Sequence, residues 1–241
     1  MADIETVRTI IGIIGNVVSF FLFASPAPTF VKIWKEKSVQ EFKSHPYLAT
    51  ALNCCMWVFY GLPFVHPNST LVVTINAIGL AAEFIYICLF FAFSDWPKRR
   101  KIIIALLIEL AFLAVVIFIT MTFLHTTKSR SMLIGILCVI LNVLMYTSPL
   151  TVMCKVIKTK SVKFMPFYLS LANLLNGIIW LIYALLIFDP YIAIPNGLGT
   201  LSGAVQLILY ATYYKSTKWE DAPNPTSDVQ LSSKDNPPNL A

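Results

Sequence analysis

Seven long apolar runs, separated by short polar segments, make up most of the chain. Each run is close to or above the ~20 predominantly apolar residues that a helix needs to cross a bilayer. The fourth run, IIIALLIELAFLAVVIFITMTFL, shows no alternation of apolar and polar positions, which excludes a transmembrane β-strand. The pattern therefore predicts an all-α polytopic membrane protein, with spans at residues 10–31, 46–64, 70–93, 102–124, 132–154, 166–188 and 195–214.

The composition and the placement of charge agree with this prediction. Of the 241 residues, 57% are hydrophobic and 12% are charged, whereas a soluble domain has ~25% charged residues. Fifteen of the 18 Lys and Arg residues fall on one side of the predicted spans. Because basic residues concentrate in cytoplasmic loops, this bias predicts an external amino terminus and a cytosolic carboxyl terminus.

Two segments of the chain repeat each other. They are residues 25–39, SPAPTFVKIWKEKSV, and residues 148–162, SPLTVMCKVIKTKSV. Both begin with Ser-Pro and end with Lys-x-Lys-Ser-Val, and they lie 123 positions apart. Offsets of 123 and 120 also pair Gly12 with Gly135, Leu22 with Met145, Asn53 with Asn176, Trp57 with Trp180, Tyr60 with Tyr183, Pro46 with Pro166, Asn76 with Asn196 and Gly79 with Gly199. Spans 1–3 and 5–7 are therefore predicted to be three-helix repeats of the same orientation. Parallel repeats of this kind are typical of transporters with a site between the halves.

The repeats divide the chain into four predicted regions. These are a first three-helix repeat (1–95), a linker helix (96–127), a second three-helix repeat (128–215) and a tail (216–241). The tail is rich in Pro, Ser, Asn and Asp, which predicts disorder.

The motifs of both halves resemble those of the SWEET sugar facilitators, especially the plant members. They are SPAPTF, KSVQEF, LNCCMWVFYGLP and TINAIG in the first half, and MYTSPL, KTKSVKFMPFYLSLANLLNGIIWLIYALL and IPNGLGTLSGAVQLILYA in the second. The resemblance covers about residues 8–216. It implies a 3+1+3 fold, uncoupled bidirectional transport of a sugar by alternating access, and a homo-oligomer.

The duplicated polar and aromatic residues suit a sugar, which needs amides for its hydroxyls and an aromatic face for its ring. Asn53 and Trp57 are spaced i, i+4 and so share a helix face, and Asn176 and Trp180 repeat that spacing. The resemblance implies a central pocket formed by these four residues and by Asn76, Asn196, Leu22 and Met145. It also implies a monosaccharide, glucose foremost, because family members that prefer disaccharides have smaller residues than Leu22, Asn53, Met145 and Asn176.

Residues at the two ends of the spans match the family's gates. Four prolines lie at the predicted cytosolic mouth, where a missing N–H loosens the helix ladder; they are Pro26, Pro46, Pro149 and Pro166. Tyr60, Tyr183 and Asp189 lie at the opposite mouth. The resemblance implies that the prolines form a cytosolic gate and that the other three residues form an extracellular gate.

Several classes of protein have no support in the sequence. We find no Walker A motif, no nucleophile–base pair that would indicate an enzyme, and no Cys or His spacing of a metal site. Aromatic and basic residues do not interleave as nucleic-acid binding would require. No cofactor, metal or nucleic-acid partner is expected, and the expected partners are a sugar and the lipid bilayer.

Four alternatives stay open. Glu83 and Glu109 lie inside spans, where an ionisable residue suggests function, so proton-coupled sugar transport is the main rival. Sucrose could replace the monosaccharide as substrate. An amino-acid or acid carrier is disfavoured because the duplicated set contains no counter-charge. A seven-helix receptor or scaffold would bind without flux. The plasma membrane is the expected location, with the vacuolar membrane left open.

Overall fold

The computed structural model describes residues 3–217 and residue 219, and every regular element in this part of the chain is a helix. The helices are α1 (Ile4–Ala24), α2 (Ala27–Glu36), α3 (His45–Gly61), α4 (Thr70–Phe93), α5 (Trp96–Phe123), α6 (Thr127–Met145), α7 (Thr147–Thr159), α8 (Phe167–Leu185) and α9 (Pro190–Tyr213). The predicted all-α fold is therefore confirmed. Of the predicted disordered tail, residue 218 and residues 220–241 lie outside the described residues.

Two predicted spans consist of two helices each. Span 1 is α1 followed by α2, with a break at Ser25 and Pro26, and span 5 is α6 followed by α7, with a break at Tyr146. Pro26 caps α2 and Pro149 lies in the first turn of α7. Because proline lacks the N–H of the i to i−4 ladder, the helix is interrupted and begins again in both spans.

Six segments of the described chain are long and apolar enough to cross a membrane, including the α1–α2 and α6–α7 pairs taken as single segments. Helix α3 has 17 residues, at the short end of the range for a transmembrane helix. It corresponds to predicted span 2 and lies within the same bundle as the other spans. The seven predicted spans thus all have a helical counterpart.

The helices pack as two similar groups. In the first group α4 packs against both α1 and α3, and in the second α9 packs against both α6 and α8. The groups meet through α1 against α8 and through α3 against α6. Since α1 corresponds to α6 and α3 to α8, these two contacts are equivalent under a twofold rotation. Helix α5 packs on α3, α4 and α6 and links the groups.

The α1–α8 contact depends on small residues. The buried face of α1 consists of Arg8, Gly12, Gly15 and Ser19, which share one helical stripe. A Cβ atom on Gly12 would lie 2.9 Å from Cε2 of Tyr183, and one on Gly15 would lie 3.0 Å from Cε2 of Trp180. Glycine at both positions therefore lets two aromatic rings of the second repeat pack directly on the backbone of the first.

Two ends of the bundle are distinguished by their residues. At one end α1 begins and α3 and α8 end, and we call this end the N-terminal mouth. At the other end lie α2, α7 and the lysines of the two repeated segments, and we call it the basic mouth. The repeat limits given above, 1–95 and 128–215, stay a prediction.

Candidate functional site

A cavity of about 330 Å³ lies between the two three-helix groups. It is lined by residues of α1, α3 and α4 on one side and of α6, α8 and α9 on the other. All eight pocket residues predicted from the sequence line this one cavity: Leu22, Asn53, Trp57, Asn76, Met145, Asn176, Trp180 and Asn196. The twofold arrangement of the repeats brings each residue opposite its duplicate, because equivalent faces of both groups point toward the shared axis.

Two indoles separate the cavity from the N-terminal mouth. Trp57 and Trp180 are both buried, and each meets a tyrosine one turn further along its helix in an edge-to-face contact. The ring centroids are 5.4 Å apart for Trp57 and Tyr60, and 5.1 Å apart for Trp180 and Tyr183. Edge-to-face packing is a favoured geometry for aromatic pairs. The indoles therefore sit on a rigid aromatic layer.

Side-chain hydrogen bonds join the two repeats within the cavity. Ser19 Oγ donates to Asn176 Oδ1 (2.6 Å) and accepts from Trp180 Nε1 (3.0 Å). On the other side of the axis, Asn142 Nδ2 donates to Asn53 Oδ1 (3.1 Å). Ser19 and Asn142 are equivalent at the offset of 123, so the two links are a symmetric pair built from different residue types.

Asn76 and Asn196 form a second amide pair with local bonds. Asn76 Nδ2 donates to the Val72 carbonyl (2.9 Å), and Asn196 Nδ2 donates to the Ile192 carbonyl (2.8 Å). Each amide thus bonds one turn back along its own helix. Their Oδ1 atoms receive no hydrogen bond from any described residue.

Four polar lining residues did not emerge from the sequence analysis: Ser19, Thr50, Asn142 and Asn173. All four are related by the offset of 123, Ser19 to Asn142 and Thr50 to Asn173. The search for duplicated residues selected identical or near-identical pairs, and these pairs are of different types. A search for polar residues at equivalent positions, whatever their identity, would have found them.

The N-terminal mouth is closed by side chains from both repeats. Tyr60 and Asp189 are buried, and the Tyr60 hydroxyl donates to both carboxylate oxygens of Asp189, at 3.0 and 2.9 Å. Asp189 also caps α9 by accepting from the N–H groups of Tyr191 and Ile192. The carboxylate therefore fixes the start of α9 and ties it to the end of α3.

His66 completes this contact. Its Nε2 lies 3.3 Å from Asp189 Oδ2, and its ring stacks on Tyr60 with centroids 4.6 Å apart. Burial alone would raise the pKa of Asp189. The hydrogen bond and charge of His66, together with hydrogen bonds from the Tyr60 hydroxyl and the Ile192 N–H, outweigh burial and hold this pKa below its ordinary value. Asp189 is thus ionised at neutral pH, and His66 is a further residue that sequence analysis missed.

A second contact across the N-terminal mouth involves the other tyrosine. Arg8 places its guanidinium 4.0 Å over the ring of Tyr183 and donates from Nη1 to the Asn68 carbonyl (2.7 Å). Arg8 is buried, and its Nε and Nη2 have no hydrogen-bond partner among the described residues. Tyr183 is buried as well, so all three residues predicted at this mouth, Tyr60, Tyr183 and Asp189, lie in the closed layer.

The basic mouth differs. Helix α2 packs on α4, and α7 packs on α6 and α9, each within its own repeat. Pro26, Pro149 and Pro166 are half-buried and Pro46 is exposed. None of the four prolines lines the cavity. Pro46 lies in the first turn of α3 and Pro166 caps α8, where a missing N–H has no helical partner to lose.

The two intramembrane glutamates lie outside the cavity. Glu83 is buried in the first repeat, and its Oε2 has no hydrogen-bond partner among the described residues. Glu109 borders a separate apolar groove of about 570 Å³ between α3, α4 and α5. Among the described residues there is no group of three or more His, Cys, Asp or Glu side chains that could hold a metal ion.

Comparison with known proteins identifies the family. A family model described as "sugar efflux transporter for intercellular exchange" matches residues 9–98 and again residues 132–218. Bidirectional sugar transporter SWEET5 of Arabidopsis thaliana is 67% identical over 221 residues, which is 92% of each chain. The chain belongs to the SWEET family of sugar transporters. It is therefore a transporter rather than an enzyme.

Further relatives and a solved structure extend this result. Bidirectional sugar transporter SWEET4 of Arabidopsis thaliana is 57% identical over 221 residues, covering 92% of this chain and 88% of the relative. The solved structure of a eukaryotic SWEET transporter is 39% identical and matches with a TM-score of 0.84 over 88% of this chain and 99% of that chain. The two segments that match the SWEET family model begin 123 residues apart and end 120 residues apart, which are the two repeat offsets. The predicted 3+1+3 fold is confirmed, and the protein is an integral membrane protein whose partners are a sugar and the bilayer.

Proposed function

We propose that the protein is a bidirectional facilitator of a monosaccharide, glucose foremost, that works by alternating access. The observation that carries the proposal is the cavity of about 330 Å³ on the axis between the repeats, lined by paired amides and indoles and sealed toward the N-terminal mouth. The relatives are named bidirectional sugar transporters, which supports movement of sugar in both directions.

The lining of the cavity favours a small neutral polyol. It contains six asparagine amides and the hydroxyl groups of Ser19 and Thr50, and no Asp, Glu, Lys or Arg. A charged substrate would need a counter-charge there. The volume is near the lower end of the ~300–1,000 Å³ of small-molecule sites. Leu22, Asn53, Met145 and Asn176 narrow the cavity, which favours a monosaccharide over sucrose.

The proposed transport cycle exchanges one closed mouth for the other. Contacts of Tyr60, Tyr183 and Asp189 close the N-terminal mouth, and bending at Pro26, Pro149 and the adjoining Pro46 and Pro166 closes the basic mouth. The positive-inside bias supports a cytosolic basic mouth and an external amino terminus. We further propose residence in the plasma membrane and assembly as a homo-oligomer.

The deciding experiment measures flux of radiolabelled glucose into proteoliposomes, with and without an imposed pH gradient. It compares wild type with Asn76→Ala, which removes one amide of the cavity. We expect wild-type flux that follows the sugar gradient alone, and a loss of about tenfold in the variant, since an unpaired sugar hydroxyl costs ~1–3 kcal/mol. Folded protein without glucose flux would refute the proposal and direct the assay to sucrose.

Proton-coupled transport is a second candidate because of one observation. The buried Oε2 of Glu83 lacks a partner among the described residues, and an unpaired carboxyl inside a membrane suggests a proton site. Uphill glucose accumulation driven by the pH gradient, and abolished in Glu83→Gln, would establish this function in place of facilitation. Flux that ignores the gradient would leave Glu83 a structural role inside the first repeat.

A further inference from the structure

Four of the six asparagines that line the cavity, Asn53, Asn76, Asn176 and Asn196, have hydrogen bonds that fix the orientation of their amide groups. An amide side chain offers donors at Nδ2 and an acceptor at Oδ1. Backbone carbonyls only accept, and an indole N–H only donates. Where an amide bonds directly to such a group, the chemistry of the partner decides which atom of the amide is used and which is left for a ligand.

Asn176 is fixed through Ser19. The Trp180 indole donates to Ser19 Oγ (3.0 Å). The Ser19 hydroxyl donates in turn to Asn176 Oδ1 (2.6 Å), the one acceptor that it has among the described residues. Asn176 Nδ2 has no acceptor among the described residues, and the side chain lines the cavity. Asn176 therefore presents N–H donors to whatever binds.

Asn53 is fixed in the same sense by a different route. Asn142 Nδ2 donates to the Cys138 carbonyl (3.0 Å), which identifies that atom as the nitrogen. The same Nδ2 donates to Asn53 (3.1 Å), which must therefore accept at Oδ1. Asn53 Nδ2 has no acceptor among the described residues and lies on the cavity wall. The second repeat thus orients Asn53 of the first, as Ser19 of the first repeat orients Asn176 of the second.

Asn76 and Asn196 have the opposite polarity. Each donates from Nδ2 to a backbone carbonyl one turn back, Val72 for Asn76 and Ile192 for Asn196. Both therefore present Oδ1 to the cavity. The site has two layers of opposite hydrogen-bonding character, donors on α3 and α8 and acceptors on α4 and α9.

We propose that Ser19 and Asn142 are positioning residues which fix this polarity, and that the site reads sugar hydroxyls differently in its two layers. A hydroxyl that faces Asn53 or Asn176 acts as an acceptor, and a hydroxyl that faces Asn76 or Asn196 acts as a donor. This inference rests on the proposed monosaccharide transport. It specifies which feature of a sugar each amide recognises.

Deoxy and deoxyfluoro sugars separate these two kinds of recognition. Fluorine in place of a hydroxyl still accepts weakly but cannot donate, whereas a deoxy position does neither. The experiment measures how well each 2-, 3-, 4- and 6-substituted glucose analogue competes with radiolabelled glucose for uptake into wild-type proteoliposomes. At a ring position whose hydroxyl accepts from Asn53 or Asn176, the fluoro analogue should compete about tenfold better than the deoxy analogue. At a position whose hydroxyl donates to Asn76 or Asn196, both analogues should compete about tenfold worse than glucose.

Equal losses for fluoro and deoxy analogues at every ring position would overturn the inference while leaving glucose transport established. Absence of glucose uptake by folded protein would instead refute the proposed function on which the inference rests. The wild-type panel requires no substitution, so it does not depend on whether a variant folds.

The positioning role has its own test in Ser19→Ala. The freed Asn176 amide can turn, so the KM for glucose should rise about fivefold with a smaller change in maximal rate. The advantage of fluoro over deoxy analogues should shrink, because an Asn176 amide that turns no longer holds its N–H donors toward the fluorine. Ser19→Thr, which keeps the hydroxyl, should restore both values. Thr9→Ala is the matched control, since it removes a hydroxyl of α1 whose one hydrogen bond within the described part of the chain goes to the Glu5 carbonyl. An unchanged fluoro advantage in Ser19→Ala would show that Ser19 merely joins the helices.

Discussion

The two mouths of the bundle are built from the same duplicated helices, yet they are in opposite states. At the N-terminal mouth, Tyr60 of the first repeat bonds to Asp189 of the second, and Arg8 of the first packs on Tyr183 of the second. At the basic mouth, α2 and α7 each pack within their own repeat. Each repeat contributes to both ends, so the difference must come from particular residues.

The repeat offsets show where that difference arises. His66 and Asp189 are equivalent at the offset of 123, as are Arg8 and Ser131. Two identical ionisable residues facing each other across a twofold axis would repel, whereas a histidine and an aspartate attract. The basic mouth keeps the equivalent residues alike, with Lys37 matching Lys160 and Pro26 matching Pro149. Departure from symmetry therefore brings attracting residues together at the closed N-terminal mouth.

Asp189→Ala should have the largest effect on this comparison. It removes an acceptor shared by Tyr60, His66 and two N–H groups of α9, and hydrogen bonds to a charged group contribute ~1.5–3 kcal/mol each. The closed N-terminal mouth should become rare, and glucose flux in proteoliposomes should fall roughly a hundredfold.

A matched control for this variant is Asp95→Ala. Asp95 also caps a helix, α5, but it is exposed near the basic mouth, and among the described residues its side chain accepts only from the Lys98 N–H. Loss of that cap should lower stability by about 1 kcal/mol and leave flux close to wild type. Equal losses of flux in both variants would mean that capping, not closure of the mouth, explains the effect.

Pro26→Ala should act on the other mouth. An alanine N–H at this position can donate to the Leu22 carbonyl, which now accepts from Ser25, so α1 and α2 can join as one stiffer helix. We expect a gain in thermal stability together with a maximal rate about tenfold lower and an unchanged KM. Pro97→Ala, in the exposed first turn of α5, should alter neither quantity. Faster transport by Pro26→Ala would contradict a bending role.

Much of this architecture follows from sequence alone. Apolar runs of about 20 residues predict the spans, and the offsets of 123 and 120 predict the repeats, because both features depend on composition and spacing rather than on packing. Hydropathy did not predict the breaks in spans 1 and 5, since Pro26 and the residues around Tyr146 interrupt the backbone without interrupting the apolar run. Hydropathy also placed the end of span 2 at residue 64, whereas α3 ends at Gly61. The apolar run continues into the loop after Gly61 although the helix does not.

The site shows the same division. Residues that are identical in both repeats, such as Asn76 and Asn196, were predicted from the sequence and line the cavity. Two pairs that orient the cavity amides or hold the N-terminal mouth closed differ between the repeats: Ser19 and Asn142, and His66 and Asp189. Their partners lie across the repeat interface: Asn176 is 157 positions from Ser19, and Asn53 is 89 positions from Asn142. Only the packed structure reveals which side chains meet there.

The two tyrosines of the N-terminal mouth sharpen the comparison because they are equivalent in sequence and different in bonding. The Tyr60 hydroxyl donates to Asp189, while the Tyr183 hydroxyl has no hydrogen-bond partner among the described residues and offers its ring to Arg8. Tyr60→Phe should therefore lower stability by ~1.5 kcal/mol and flux about fivefold. Tyr183→Phe, which keeps the ring, should change flux by less than about twofold and leave stability close to that of wild type. Similar losses in the two variants, measured by thermal unfolding and flux, would contradict this asymmetry.

The pH dependence of the closed mouth should be the smallest effect. The folded-state pKa of Asp189 lies below its ordinary value of 3.8, so its ionised form is favoured by folding. The resulting stability is present above the unfolded-state pKa and is lost as pH falls through the lower folded-state value. The difference in Tm between wild type and Asp189→Asn should therefore not shrink between about pH 8 and pH 5, and should decline below about pH 4. A difference that disappears already near pH 6 would contradict the assignment of this pH response to the Asp189 carboxylate.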